Sequence, residues 1–174
     1  VRVKRLPDWV PGRGARETVK VPWIIVDRNG RRYMNEYQPY TQDTSARSMA
    51  HFDTLTQTYP RIPSLMVFDD DARGTYPLCA PTFNDPNLTF DYSPEALQEL
   101  EDRIVRKVDT FDGLVTALNV EADVLRETLD RWNALCDTGK DSDHGRPPSS
   151  MMKIEKAPFY YTEVWPLCQN THGG

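Results

Sequence analysis

Three tyrosines, Tyr33, Tyr37 and Tyr40, recur at short intervals in one segment. A phenol titrates near ~10 and moves a proton at neutral pH only where its surroundings adjust it. Read from spacing alone, these three are packing residues. Asp141, Asp143 and His144 bring oxygen and nitrogen donors together in one short loop and could ligate a cation. The more ordinary role of such residues is to solvate the exit of a helix. The histidines stand at 51, 144 and 172, too scattered for a metal centre, so no metal is expected. The cysteines, at 79, 136 and 168, form no C-x-x-C pair. Their odd count and wide spacing fit a reducing compartment, hence a cytoplasmic location. The chain carries no G-x-G-x-x-G, P-loop lysine, G-x-S-x-G or H-E-x-x-H motif.

Bulk properties narrow the classes further. Lysine and arginine total 21 against 26 aspartates and glutamates in 174 residues, a net charge of −5. That balance argues against the basic stripe of a duplex-binding domain. No apolar run approaches the roughly 18–20 residues that span a bilayer. With 14 prolines and 9 glycines the chain reads as loop-rich and globular. It begins at Val1 without a signal segment and ends on Thr171-His172-Gly173-Gly174, so a piece of a longer protein is expected.

The elements that must position these groups follow from local pattern. Residues 1–20 are basic and irregular. Trp23-Ile24-Ile25-Val26, the Asn29-Gly30 turn signal and a return strand over Arg31–Asn35 predict a hairpin. Pro39 would end pairing and present the following side chains on a loop. A short helix is expected around Thr44–Phe52 and a buried strand over Ser64–Phe68. Residues 72–92 read as a long loop. Ser93-Pro94-Glu95 is a helix start, and Ile104–Val108 breaks away as a strand. Thr110 caps a helix with Phe111, Leu114, Val115 and Leu118 on one face, ended by Asn119. A second helix runs from about 121 to 137, with Leu125, Thr128, Leu129, Trp132, Leu135 and Cys136 on one face and Gly139 as its stop. The two helices, joined by a short link, make an antiparallel pair. Pro158–Leu167 is the last strand.

The assembled motifs resemble one family. Asn29-Gly30-Arg31-Arg32-Tyr33-Met34-Asn35-Glu36 resembles the N-x-x-G-x-R-F-x-N-E segment of the fumarate reductase/succinate dehydrogenase flavoprotein superfamily. Leu125, Thr128, Arg131, Trp132 and Asn133 match its second helix, with Asn119 and Glu121 standing where the family has glycine and aspartate. Residues 139–146 resemble its G-x-D-x-D-F-G-R loop, Ala157-Pro158-Phe159-Tyr160 its x-P-F-Y, and Thr171-His172-Gly173-Gly174 its T-x-G-G. Tyr40 stands where the fumarate reductase branch has a proton-supplying arginine, and Asn170 where it has a carboxylate-binding histidine. The Asn-Glu-x-x-x-Tyr arrangement resembles the 3-ketosteroid dehydrogenase branch instead.

The resemblance implies an α+β capping domain with a β-hairpin, short mixed strands and a helical pair. Residues 22–165 would form the cap; 1–21 and 166–174 would connect it to an FAD-binding domain outside this chain. FAD would be bound mainly by that other domain. Tyr40 would be the catalytic proton partner, Asn170 and His172 would meet the substrate, and Asn35, Glu36, Thr171, Gly173 and Gly174 would lie beside the flavin. The implied reaction is α,β-dehydrogenation of a steroid-like or other cyclic ketone, or reduction of a conjugated C=C. The piece alone would be inactive. Its partners would be the rest of the FAD-binding domain and a small molecule, with no nucleic acid and no membrane span. Two rivals are a fumarate-type organic-acid reductase, with Arg47 or an upstream arginine as donor, and a non-catalytic module binding through proline-rich loops.

Overall fold

A computed structural model describes residues 22–37, 44–73 and 105–166. Its centre is a four-stranded sheet of β1 (Ile24–Val26), β2 (Ser64–Asp69), β4 (Phe159–Val164) and β3 (Arg106–Val108), in the order β1-β2-β4-β3. All described pairings are antiparallel. The strands expected to be mixed are therefore not, and the α+β class holds with a purely antiparallel sheet among the described residues.

Every residue of β2 is buried, because the sheet is covered on both faces. The side chains of Leu65 and Val67 join Ile24, Val26, Phe159 and Tyr161 against the helical pair. Met66 and Phe68 point the other way, with Ile25, Tyr160 and Val164, into a cluster closed by Trp23, Met34, Tyr37, Met49 and Val105. This is the period-2 alternation of a strand with an apolar layer on each side. β3 presents exposed Arg106 and Lys107, which suit a sheet edge.

The helical pair is α3 (Phe111–Leu118) and α4 (Ala122–Thr138). Thr110 caps α3: its hydroxyl accepts the Gly113 N–H at 3.0 Å. Asn119 takes the left-handed conformation that ends it, and Gly139 does the same for α4. The predicted apolar face of α4 is buried at Leu125, Leu129, Trp132 and Leu135. Two short helices, α1 (Thr44–Met49) and α2 (Asp70–Arg73), flank β2. The buried Asp69 side chain accepts the Ala72 N–H, capping α2, and the Glu155 and Lys156 N–H groups from the approach to β4.

The expected hairpin is corrected. The Asn29-Gly30 turn forms, with the Gly30 N–H on the Asp27 carbonyl, but the return strand reduces to one bridge between Val26 and Arg32. The reason is chemical. The Ile25 N–H, which a strand carbonyl would otherwise accept, donates to the Glu36 carboxylate at 3.0 Å. Residues 33–36 follow that side chain rather than a ladder. Pro39, the loop of 72–92 beyond Arg73 and the Ser93 helix start lie outside the described residues.

Candidate functional site

The most organised polar structure is a buried set of two arginines and two carboxylates. Arg32 donates through Nε and Nη2 to Glu36, at 2.9 and 2.7 Å, and through Nη2 to Asp141 at 2.8 Å. Arg146 donates through Nη1 to Glu36 at 3.2 Å and to the Trp23 carbonyl at 2.8 Å. Its remaining donors reach Ser150. The side chains of Glu36, Asp141 and Arg146 are fully enclosed. Both guanidinium groups lie over the Trp132 indole, 4.5 and 4.8 Å from its centroid. Two positive and two negative charges balance, and such a set tolerates burial only because its members are paired.

Local chemistry explains how each member is held. Asp141 turns its loop around itself: its carboxylate accepts the N–H groups of Asp143, His144 and Arg146, each at 3.1 Å. Burial alone would push its carboxyl up. The bonds and charge of Arg32, with the N–H groups, outweigh that and hold it near about 2. Burial opposes the ionised Glu36 as well, and Arg32, Arg146 and the Ile25 N–H hold its carboxyl below the ordinary range. Burial works against the Arg32 cation, and its two carboxylate partners raise it further above its normal value.

The family-like residues of α4 each hold a separate segment. The Thr128 hydroxyl donates to the Gly30 carbonyl at 2.8 Å, fastening the turn to the helix. Gly30 sits at φ +82°, where the turn itself favours glycine, while Val120 and Leu125 pack against it at ordinary contact distance. Arg131 makes a two-point pair with Asp143. Trp132 Nε1 donates to the Met152 carbonyl at 2.8 Å. The Asn133 amide exchanges two hydrogen bonds with the Ile154 backbone. A cleft of about 330 Å³ opens beside this helix, between Arg31, Arg32, Thr128, Arg131, Trp132 and His144.

These placements decide several expectations. The loop of 139–148 is a solvated helix exit only in part: Lys140, Ser142, Asp143 and Gly145 are exposed, while Asp141 and Arg146 are buried. The Asp141 and Asp143 carboxylates face guanidinium groups, and no group of metal-ligating residues occurs among the described residues. Tyr33 donates to the Ser64 hydroxyl at 2.6 Å, which itself donates to the Arg61 carbonyl. Burial pushes the Tyr33 phenol up to about 12, against the nearby Arg61 charge, so it stays protonated. Tyr37 is buried in the core, and Asn35 Oδ1 accepts its N–H at 2.9 Å. Burial pushes the half-buried Cys136 thiol up to about 11. Tyr40, Asn170, Thr171, His172, Gly173 and Gly174 lie outside the described residues.

The site thus brings together Glu36 with Arg32, Asp141 and Arg146. The sequence reading missed this set, although the i,i+4 spacing of Arg32 and Glu36 offered a signal. Because Glu36's side chain is enclosed, only its main chain remains for a neighbour. The described glycines do not line a dinucleotide cradle: Gly30 and Gly113 pack on the chain itself, while Gly139 and Gly145 sit in open turns. The described residues form a scaffold around the buried charge set. No described helix is long and apolar enough to cross a membrane.

The fold of this antiparallel α+β scaffold is shared with solved structures. The solved structure of 3-ketosteroid delta1-dehydrogenase from Sterolibacterium denitrificans shares the fold, with a TM-score of 0.62 and 22% identity over 90% of this chain and 30% of that one. The FAD binding domain family matches residues 6–174, and the chain belongs to that family; FAD is its cofactor. It is 29% identical to the 4-oxocyclohexanecarboxylate 2-dehydrogenase of Sinomonas cyclohexanicum, over 87% of this chain and 26% of the relative. It is 27% identical to the NADH:acrylate oxidoreductase of Vibrio harveyi, over 87% of this chain and 13% of the relative. The chain therefore spans about a quarter or less of the length of these curated relatives. It is similar to both ketone dehydrogenases and reductases of conjugated acids.

Proposed function

We propose that residues 22–165 are the substrate-capping domain of an FAD-dependent oxidoreductase that dehydrogenates a cyclic ketone next to its carbonyl, or reduces the corresponding conjugated C=C. The observation that carries this reading is the anchored Asn35–Tyr37 stretch. Asn35 takes the Tyr37 N–H, the Glu36 side chain is gripped by Arg32, Arg146 and the Ile25 N–H, and Tyr37 is core. Tyr40 follows three residues later, at the position where the ketosteroid-like pattern has its proton-handling tyrosine. The relative named for a ring ketone supports the same substrate class.

In dehydrogenation, a carbon beside the ketone loses a proton and its neighbour loses a hydride, leaving a C=C. When bound, FAD supplies the hydride acceptor, or the donor for the reverse reaction. The chain's own part is proton handling and enclosure. The Tyr40 hydroxyl exchanges the proton at the carbon next to the ketone. Asn170 and His172 orient the carbonyl. Thr171, Gly173 and Gly174, with the main chain at Asn35 and Glu36, lie against the flavin. The segments 1–21 and 166–174 join the cap to the part that holds FAD, and covering the site excludes water.

Tyr40→Phe in the full-length enzyme tests the assignment. It keeps the ring and removes the proton, so kcat and kcat/KM are expected to fall by ~10²–10⁴ with KM little changed. Wild-type turnover with flavin reduction still rate-limiting would refute it. A second reading, reduction of a conjugated organic acid with Arg47 or an upstream arginine as donor, is favoured by the acrylate-named relative. Bleaching of reduced flavin by acrylate or fumarate, with no reaction of cyclic ketones, would select it.

A further inference from the structure

The large apolar side chains that stand exposed among the described residues are Phe52, Leu55, Tyr59 and Trp165. They gather at one end of the sheet. Ser64 and Val164 are the last partners of β2 and β4 there, so Trp165 follows directly on that pair. Phe52 and Tyr59 bracket a tight turn just before β2, their rings 5.0 Å apart. Leu55, 93% exposed, is at the tip of this turn.

The turn is built, not slack. Asp53 and Thr58 bridge through their backbones, and the Asp53 carboxylate accepts the Leu55 N–H and the Thr56 hydroxyl, at 2.9 and 2.8 Å. Gln57 adopts φ +58° and its side-chain amide donates to the Thr54 carbonyl. Behind it, Arg61 donates to the Ser48 carbonyl of α1 at 2.8 Å and lies over the Tyr33 ring. The tip is thus fastened to the helix that follows the Tyr40 segment. A preorganised turn that holds a leucine out beyond a pair of packed aromatic rings is costly to leave in water and suits a partner surface.

We propose that the Phe52–Tyr59 turn is the surface by which this domain docks on the FAD-holding part of the longer polypeptide, Leu55 seating in an apolar pocket there. The occupant follows from two observations: the chain spans about a quarter of a curated relative's length, and the exposed apolar residues lie where β4 runs on toward His172-Gly173-Gly174. The inference rests on the capping-domain reading.

The test uses the full-length FAD-loaded protein with Leu55→p-benzoyl-phenylalanine, photolysed and digested for mass spectrometry. The expected product links residue 55 to a peptide of the same polypeptide outside these 174 residues. Links between two copies, links confined to these 174 residues, or no link would each overturn the proposal. In parallel, Leu55→Asp is expected to lower turnover about tenfold, equally for ketones of different ring number, with the flavin retained. A raised KM restricted to the larger ketone would make the tip a substrate contact and overturn docking. None of these outcomes depends on the chemistry of Tyr40, whose own substitution tests the underlying reading.

Discussion

Replacing Asp141 by Asn removes one charge from the buried set and almost no volume. One oxygen can still accept from the Asp143 and His144 N–H groups. The other position, now an amide N–H₂, faces the Arg32 guanidinium and the Arg146 N–H, two donors. Breaking a buried ion pair by removing one partner costs about 3–5 kcal/mol, against roughly 5–15 kcal/mol for a whole domain. Asp143→Asn is the control: its partner Arg131 is more than half exposed, so the loss is expected below about 1 kcal/mol. Acid titration adds a signature. The Asp141 carboxyl is held below its unfolded value, near about 2. Its stabilisation is therefore complete above the unfolded value and disappears as pH falls through the folded one. Urea unfolding of wild type and Asp141→Asn at stepped pH should show a gap that is constant above pH about 4–5 and narrows as pH falls toward about 2. A gap that ignores pH, or an Asp143→Asn loss of equal size, would refute the buried-lattice argument.

Trp132→Ala should lower stability by about 3–5 kcal/mol, since a fully buried indole that bonds Met152 and underlies two guanidinium groups is lost; an unchanged melting temperature would mean α4 is turned differently. Thr110→Ala should cost about 1 kcal/mol through the lost cap at Gly113, measured by urea unfolding, with Thr110→Ser nearly silent. The 174-residue chain alone should not bind FAD at micromolar or tighter affinity in a fluorescence titration, because its described glycines form no pyrophosphate cradle; tight binding would undo the division of labour proposed between cap and FAD-holding part.

Where one local rule sufficed, the sequence was readable. Thr110 starts α3 through its hydroxyl, Asn119 and Gly139 stop α3 and α4 in the left-handed conformation, and the 3.6-residue period placed Leu125, Leu129, Trp132 and Leu135 inside. The Ser64–Phe68 run declared a buried strand because apolar layers cover both faces. The return strand after Asn29-Gly30 failed for a reason invisible locally: the acceptor for Ile25 is a carboxylate eleven residues on, held by Arg146 from the far end of the domain. Charged residues at 141 and 146 look solvated in a one-dimensional reading, since nothing local shows that Arg32 and Glu36 await them. Tyr40 was nominated by pattern alone.

The buried set explains why those motif residues travel together across the chain. Arg32 and Glu36 leave the Asn-Gly turn, Asp141 and Arg146 leave the exit of α4, and Trp132 is the ring both arginines cover. Losing any one of the four charged members leaves an uncompensated charge inside, so none of the four has an independent role. The resulting rigidity lies in the segment immediately before Tyr40. A proton partner must be held to within about 0.5 Å of its productive position, and in the proposed mechanism the anchoring of Asn35–Tyr37 supplies the fixed end from which such a placement is made. In the proposed mechanism Glu36 is a positioning residue rather than a proton carrier: its carboxylate is enclosed and held by Arg32, Arg146 and the Ile25 N–H, which keep it below the ordinary range.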